Sequence, residues 1–261
     1  MASTSSAGMI DVIIPAIDKD LATLPYVIDS IRRHVRHPIG RIYIVSPDSD
    51  RIRRLCVRKR CVYVNEKRVL PITKRSIRYR SRKWDRSGWL YQQLLKLSGD
   101  RISARDFLVV DADTVFIRPH AFRTGGKRIF YCRDWTQPEY YRTYRKLMGK
   151  RPTAPRSLVT HYMLFERAKL KGLKRSIRRR HGRSWYSAIL RSIDRKRQFG
   201  FSEFETYGNY VYSLEPGKTV LRSSRNTSLA SSPARLTGAR QRKLANAYRS
   251  VSFHKRRIYR R

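Results

Sequence analysis

Apolar positions in this chain fall into short continuous runs separated by stretches of helical spacing. Residues 11–15 (DVIIP) form a run too brief for a helix and read as a buried first strand. Leu24, Val27, Ile28, Ile31 and Val35 then recur on one helical face, and Pro25 suits the first turn of that helix. Residues 41–46 predict a second strand closed by Pro47 and Asp48, and residues 62–64 a third. This alternation predicts an α/β fold with a mixed, mostly parallel sheet flanked by helices. Residues 51–86 are dense in cations and weakly periodic, which predicts irregular surface over the sheet. Trp89, Gln92, Gln93 and Lys96 share one face of the next helix, and Leu90, Leu94 and Leu97 form an adjoining apolar face. Further on, residues 129–131 read as a strand and 158–165 as an apolar run holding His161. Leu170, Leu173 and Ile177 space like a helix, and residues 202–212 like a helix or turn-helix broken at Gly208. Residues 226–234 are Ser-rich and predict a mobile loop, and residues 251–255 a short strand-like segment.

The run at 107–116 carries the most informative chemistry. It ends in Asp111, Ala112 and Asp113, after which the apolar pattern resumes. A desolvated, unpaired carboxylate is very costly. Two at a strand end point to a divalent cation, a hard ion that takes carboxylate oxygens, or to a turn with two solvated aspartates. Residues i and i+2 of a strand point the same way, so both carboxylates reach one ion, directly or through water. Such an ion keeps positions open for phosphate oxygens and stabilises charge on a departing diphosphate. His254 is a candidate third ligand, and imidazole suits manganese better than magnesium; a lone histidine is also commonly structural. Glu203 and Glu205 offer a base for an acceptor hydroxyl, Glu203 being preferred, or pair with arginines. Gln92 and Lys96 face donor hydroxyls or phosphates, or solvent. His161 lines an acceptor pocket or sits satisfied in the core.

Composition bounds these readings. With 261 residues, 40% of them hydrophobic, the chain supports one domain with a substantial core, or at most two small ones. No apolar run approaches the roughly 20 residues that span a bilayer. The first nine residues lack the basic and apolar segments of a signal peptide. Three cysteines without zinc spacing fit reduced thiols. The expected location is the cytoplasm, with peripheral contact at the inner membrane face left open. The 60 Lys and Arg against 19 Asp and Glu give a net charge of +41. Such a field draws nucleic acid, anionic lipid headgroups or phosphate-rich polymers, or reflects arginine substituting freely at exposed positions. The basic amphipathic segment 169–180 reads as a membrane-surface helix or as an ordinary surface helix with one buried face. A basic nucleic-acid binder or metal nuclease stays open as an alternative, without a visible recognition-helix, zinc-finger or RNA-binding signature.

The motifs in order are DVIIP at 11–15 with Asp18 and Asp20, then Trp89, Gln92, Gln93 and Lys96. The strand with Asp111 and Asp113 follows, then His161 to Met163, Ser202 to Gly208, and Phe253-His254. Together they resemble the GT-A fold glycosyltransferases, and more narrowly a bacterial Asp-x-Asp family within that group. The resemblance implies a single Rossmann-like domain over residues 10–255, with a disordered tail at 1–9 and a basic tail at 256–261. It implies transfer of a sugar from a nucleoside-diphosphate sugar, taken as UDP-linked, to an acceptor hydroxyl with Mn2+ or Mg2+. The acceptor would be a cell-surface glycan or a lipid-linked intermediate. Pro15, Ala16, Asp18, Gln92, Lys96, Asp111 and Ala112 would meet the donor. Asp111, Asp113 and His254 would hold the metal, Glu203 or Glu205 would serve as base, and His161 and Tyr207 would line the acceptor pocket. The high basicity departs from typical members.

Overall fold

A computed structural model of the protein describes residues 8–253. His254, and with it the expected C-terminal tail, lies outside the described residues. In chain order the first half runs β1 (Ile10–Pro15), α1 (Leu24–His34), β2 (Ile39–Ser46), α2 (Asp50–Arg58), β3 (Val62–Asn65), α3 (Ser87–Lys96), β4 (Phe107–Val110) and β5 (Thr114–Phe116). Then come β6 (Arg123–Thr124), β7 (Lys127–Cys132), α4 (Pro138–Met148), β8 (Tyr162–Phe165), α5 (Arg167–His181), α6 (Trp185–Ser192) and α7 (Glu203–Leu214). The chain closes with β9 (Thr219–Ser223), β10 (Asn226–Ser228), α8 (Gly238–Ala245) and β11 (Ser250–Ser252).

The main sheet has the order β3-β2-β1-β4-β8. The first four of these strands are parallel and β8 is antiparallel to β4. Its central strands carry continuous apolar runs, 12–14 in β1, 42–45 in β2 and 107–110 in β4, because both faces are covered there. Ile13, Val45, Phe107, Val109 and Phe165 point to one layer, against Leu90 and Leu94 of α3, Leu170 and Leu173 of α5, and Phe204 of α7. Val12, Ile14, Ile44, Leu108 and Val110 point to the other, against Val27, Ile28 and Ile31 of α1 and Ile52 and Leu55 of α2. The two-residue period of a strand divides the residues between the layers. Two smaller sheets, β10-β11-β5 and β6-β7-β9, flank the main one.

Several expectations change. The region read as irregular surface contains α2. Only Ile52, Leu55 and Cys56 of this helix are buried, and its arginines mask the period. Its start is fixed by the Ser49 side chain, which accepts the Ile52 N–H at 3.3 Å. The expected break at Gly208 is absent, and α7 runs through it. A Cβ there would stand 2.5 Å from Leu158 Cδ1, so this glycine is a close-packing position. The expected mobile loop contains β10, paired in parallel with β11. Helix α5 buries Leu170, Leu173 and Ile177 in the core, so its apolar face is not available to a membrane. Among the described residues, no helix is long and apolar enough to cross a membrane.

Candidate active site

Strand β4 ends at Val110, and residues 111–113 turn the chain into β5, with the Thr114 N–H donating to the Asp111 carbonyl at 3.2 Å. The turn lies at the C-terminal ends of the parallel strands, where open α/β sheets bind ligands. Val110 is paired with Tyr162 of β8, and the next antiparallel pair brings Asp111 opposite His161. The Asp111 N–H donates to the His161 carbonyl at 2.8 Å. His161 Nδ1 stands 3.2 Å from Asp111 Oδ2. With Asp113, these residues offer one ligand atom each, all within 4.8 Å of one another. Two carboxylates and an imidazole form a donor set that suits manganese and accommodates magnesium. The residues present therefore fit a divalent cation.

The adjoining wall comes from α3 and α7. Lys96 is buried at the last turn of α3, with Nζ 2.5 Å from Asp111 Oδ1 and 2.6 Å from Glu203 Oε1. Gln93 Oε1 accepts the Glu203 N–H at 3.1 Å, and Gln92 Nε2 donates to the Pro15 carbonyl at 3.3 Å. The polar face predicted for this helix thus meets β1, the aspartate turn and α7 together. Burial opposes the Lys96 charge, but Asp111 and Glu203 outweigh it and raise its pKa. Burial likewise works to raise the Asp111 carboxyl, yet Lys96 and then His161 hold it well below the usual carboxylate range. Burial raises Glu203 in spite of Lys96, and the Asp111 charge adds to the rise.

The loop after β1 forms the third side. Thr23 Oγ1 donates to the carbonyls of Ala112 at 2.8 Å and Asp20 at 2.9 Å, tying this loop to the aspartate turn. The Asp20 carboxyl is raised by burial, and the charges of Asp113 and Asp111 add to the rise. Asp18 is exposed and accepts a 2.5 Å hydrogen bond from Ser49 Oγ. Pro15 and Ala16 close β1 at the same end of the sheet, the Ala16 N–H donating to the Val45 carbonyl at 2.9 Å.

Other predicted site residues are placed differently. Glu205 is fully buried, and its carboxylate accepts from Ser157 Oγ at 2.9 Å, the Leu158 N–H at 3.1 Å and Asn209 Nδ2 at 3.0 Å. It braces the 157–158 segment and does not meet the Asp111 side. On a helix, residues i and i+2 do not share a face, which separates it from Glu203. Tyr207 is also fully buried, stacked 4.2 Å from Phe165, its hydroxyl accepting the Glu166 N–H at 2.7 Å. It is a core residue and not a pocket wall. Glu203 is 3% exposed and engaged by Lys96, a position suited to holding Lys96 and Asp111 more than to meeting an acceptor. Lys96, expected at the donor, is buried with its ammonium between Asp111 and Glu203. His161, expected at the acceptor, stands instead with Asp111 and Asp113 in the cluster that could hold a cation. Sequence reasoning missed this because the signal lies in the β4–β8 register, and it also missed Thr23 as the tie between loops. The described chain reaches the turn at Phe253, whose N–H donates to the Asp113 carbonyl at 2.9 Å. The ligand expected at His254 is the residue outside the described range.

Residues 8–237 match the model of DUF6492, a family of unknown function. No curated protein matches the chain. Among solved structures, the apo form of the bifunctional glycosyltransferase WbbM is similar at a TM-score of 0.50 and 10% identity, over 95% of this chain and 46% of that one. The chain therefore spans less than half of that protein. The galactosyltransferase LgtC, in complex with donor and acceptor sugar analogues, is similar at a TM-score of 0.48 and 15% identity, over 94% and 87% of the two chains. Mouse xyloside xylosyltransferase 1, apo form, gives 0.46 and 12%, over 95% and 98%. The fold is that of the GT-A glycosyltransferases, α/β with a mixed, mostly parallel sheet.

Proposed function

The chain belongs to DUF6492, a family of unknown function, and we propose that it transfers a sugar from a nucleoside-diphosphate sugar to an acceptor hydroxyl with the help of a divalent cation. The observation that carries this reading is the gathering of Asp111, Asp113 and His161 at the C-terminal end of the parallel sheet. Those three side chains would hold Mn2+ or Mg2+, and His254, one residue beyond Phe253, is proposed as a further ligand. When bound, the ion would neutralise the donor's diphosphate and stabilise the charge that builds on it as the sugar leaves.

The chain's own residues have separable roles in this proposal. Lys96, fixed by Glu203, holds one oxygen of Asp111 and so sets how that carboxylate is presented. Thr23 anchors the Ala112 carbonyl and keeps the turn against the loop after β1. Pro15, Ala16 and Asp18 are the proposed neighbours of the nucleotide, and a UDP donor is the first choice to test. A glycan or lipid-linked acceptor is proposed with it.

The test is a thermal-shift screen of nucleoside-diphosphate sugars with and without Mn2+, followed by donor-hydrolysis assays. A ligand selective for the folded state raises its apparent stability by mass action. A donor that stabilises the protein only with Mn2+, and is slowly hydrolysed, supports the proposal. Absence of any metal-dependent shift across the donors, together with nicking of nucleic acid, would transfer the site to a nuclease.

A further inference from the structure

The parallel strands begin at the end opposite the candidate active site, β1 at Ile10, β2 at Ile39 and β3 at Val62. Strands of four to eight residues put roughly 13–25 Å between the two ends. Three large apolar side chains are exposed at this far end. Val57 in the last turn of α2 is 79% exposed, Met9 before β1 48%, and Val62 opening β3 38%. The turn from α2 to β3 is tight. The Arg60 N–H donates to the Val57 carbonyl at 3.1 Å, and Arg60 takes a left-handed φ of 47°. Arg32 of α1 clamps the same turn by donating to the carbonyls of Lys59 and Arg60. Beside the turn lies a cavity of about 240 Å³ whose lining includes Arg32, Arg60 and Gly40. A Cβ on Gly40 would stand 2.5 Å from Asp11 Oδ1 and 3.3 Å from Met9 Sδ, so Met9 lies beside the Gly40 side of the cavity, with the buried Asp11 carboxylate behind it held by Ser103 and the Arg41 N–H.

We propose that this end of the sheet is a docking surface for a bilayer that carries anionic lipids. A lipid phosphate would sit between the Arg32 and Arg60 guanidiniums, with Val57, Val62 and Met9 in the interfacial layer. Cations beside a lipid surface gain from its negative potential, and apolar side chains among them gain by entering the headgroup boundary. A nucleic acid would satisfy the arginines but offers no apolar layer for an aliphatic side chain as exposed as Val57. Charge complementarity and the exposed valines therefore point to the same partner. The surface is independent of the transferase reading. Docked this way, the molecule turns its candidate active site away from the lipid, so of the two proposed acceptor classes it favours the glycan over the lipid-linked one.

The test is flotation of the full chain with phosphatidylcholine vesicles, with and without about a third phosphatidylglycerol. The wild type should float only with the anionic vesicles. Val57→Asp and Arg60→Glu should each lower that partitioning about tenfold without moving the melting temperature, since both side chains are exposed. Val57→Leu should preserve it. Flotation by both charged variants like the wild type would overturn the proposal. So would loss in Arg60→Glu alone with an equal loss of oligothymidylate binding, which would mark a polyanion site. Binding of inorganic phosphate lost in Arg60→Glu, without any vesicle partitioning, would make the cavity a small-anion pocket and equally overturn it.

Discussion

Asp111 and His161 stand opposite each other across the β4–β8 pair, joined through the backbone at 2.8 Å and through their side chains at 3.2 Å. The sheet itself therefore presents an imidazole beside the first aspartate. If His161 is a ligand, His161→Ala should weaken Mn2+ binding by about a hundredfold, at or above the upper range seen for mere supporting residues. Titration of Mn2+ by electron paramagnetic resonance measures this directly. Unchanged affinity in His161→Ala, with a large loss in His254→Ala, would give the third position to the C-terminal histidine instead.

Lys96 lies between two carboxylates, 5% exposed at the side chain. Lys96→Met removes that charge and leaves Asp111 and Glu203 without a buried counter-ion. Removing one partner of a buried ion pair costs about 3–5 kcal/mol. A bound cation would offset part of the loss through Asp111. Urea denaturation should then show a larger Mn2+ stabilisation for Lys96→Met than for the wild type. Equal metal-dependent stabilisation in both would mean that the ammonium and the metal do not share Asp111.

The outcome of reading the chain differs between its layers. Elements buried on both faces were legible, because β1, β2 and β4 each contain a continuous apolar run and α1 shows its period through Leu24, Val27, Ile28 and Ile31, with Val35 at its C-terminal cap. Helix α2 was not, since three buried positions among its arginines give too weak a period. Helices α4, α6 and α8 were likewise not predicted; α8 has no buried residue. At the site, the aspartate turn and the Gln92–Lys96 face were visible in one dimension. The direction of Lys96, the turning away of Glu205 and the meeting of Asp111 with His161 depend on register and helix rotation. Those are set by packing between segments some 50 to 110 residues apart.

His120 is fully buried among Phe116, Tyr131 and Tyr162, with Nδ1 2.8 Å from the Arg118 carbonyl and Nε2 3.1 Å from the Tyr162 hydroxyl. Burial, the largest cause, pushes its pKa down from 6.5 to about 3. The unfolded chain therefore takes up a proton below pH 6.5 that the folded chain refuses. The stability associated with the neutral ring is fully present above pH 6.5 and is lost as pH falls toward 3. One pH unit is worth about 1.4 kcal/mol per group, so the loss amounts to about 5 kcal/mol across that window. Denaturant midpoints measured at several pH values should show this slope, and His120→Gln should remove most of it. A slope of the same size in that variant would assign the acid sensitivity to the carboxylates.

Glu203 and Glu205 sit two residues apart on α7 and should respond differently to the same substitution. Glu205→Gln replaces one oxygen of a carboxylate that accepts from Ser157, Leu158 and Asn209. A mismatched buried donor or acceptor costs about 1–3 kcal/mol, so stability should fall while Mn2+ affinity stays. Glu203→Gln removes one of the two charges on Lys96 and leaves the ammonium to Asp111 alone. Lys96 then competes harder for that carboxylate, and Mn2+ affinity should fall with donor hydrolysis in proportion. Calorimetric Mn2+ titration beside the hydrolysis rate separates the two roles. Loss of turnover in Glu203→Gln at unchanged Mn2+ affinity would return Glu203 to the role of base, since a residue that acts only by positioning Asp111 must register at the metal first.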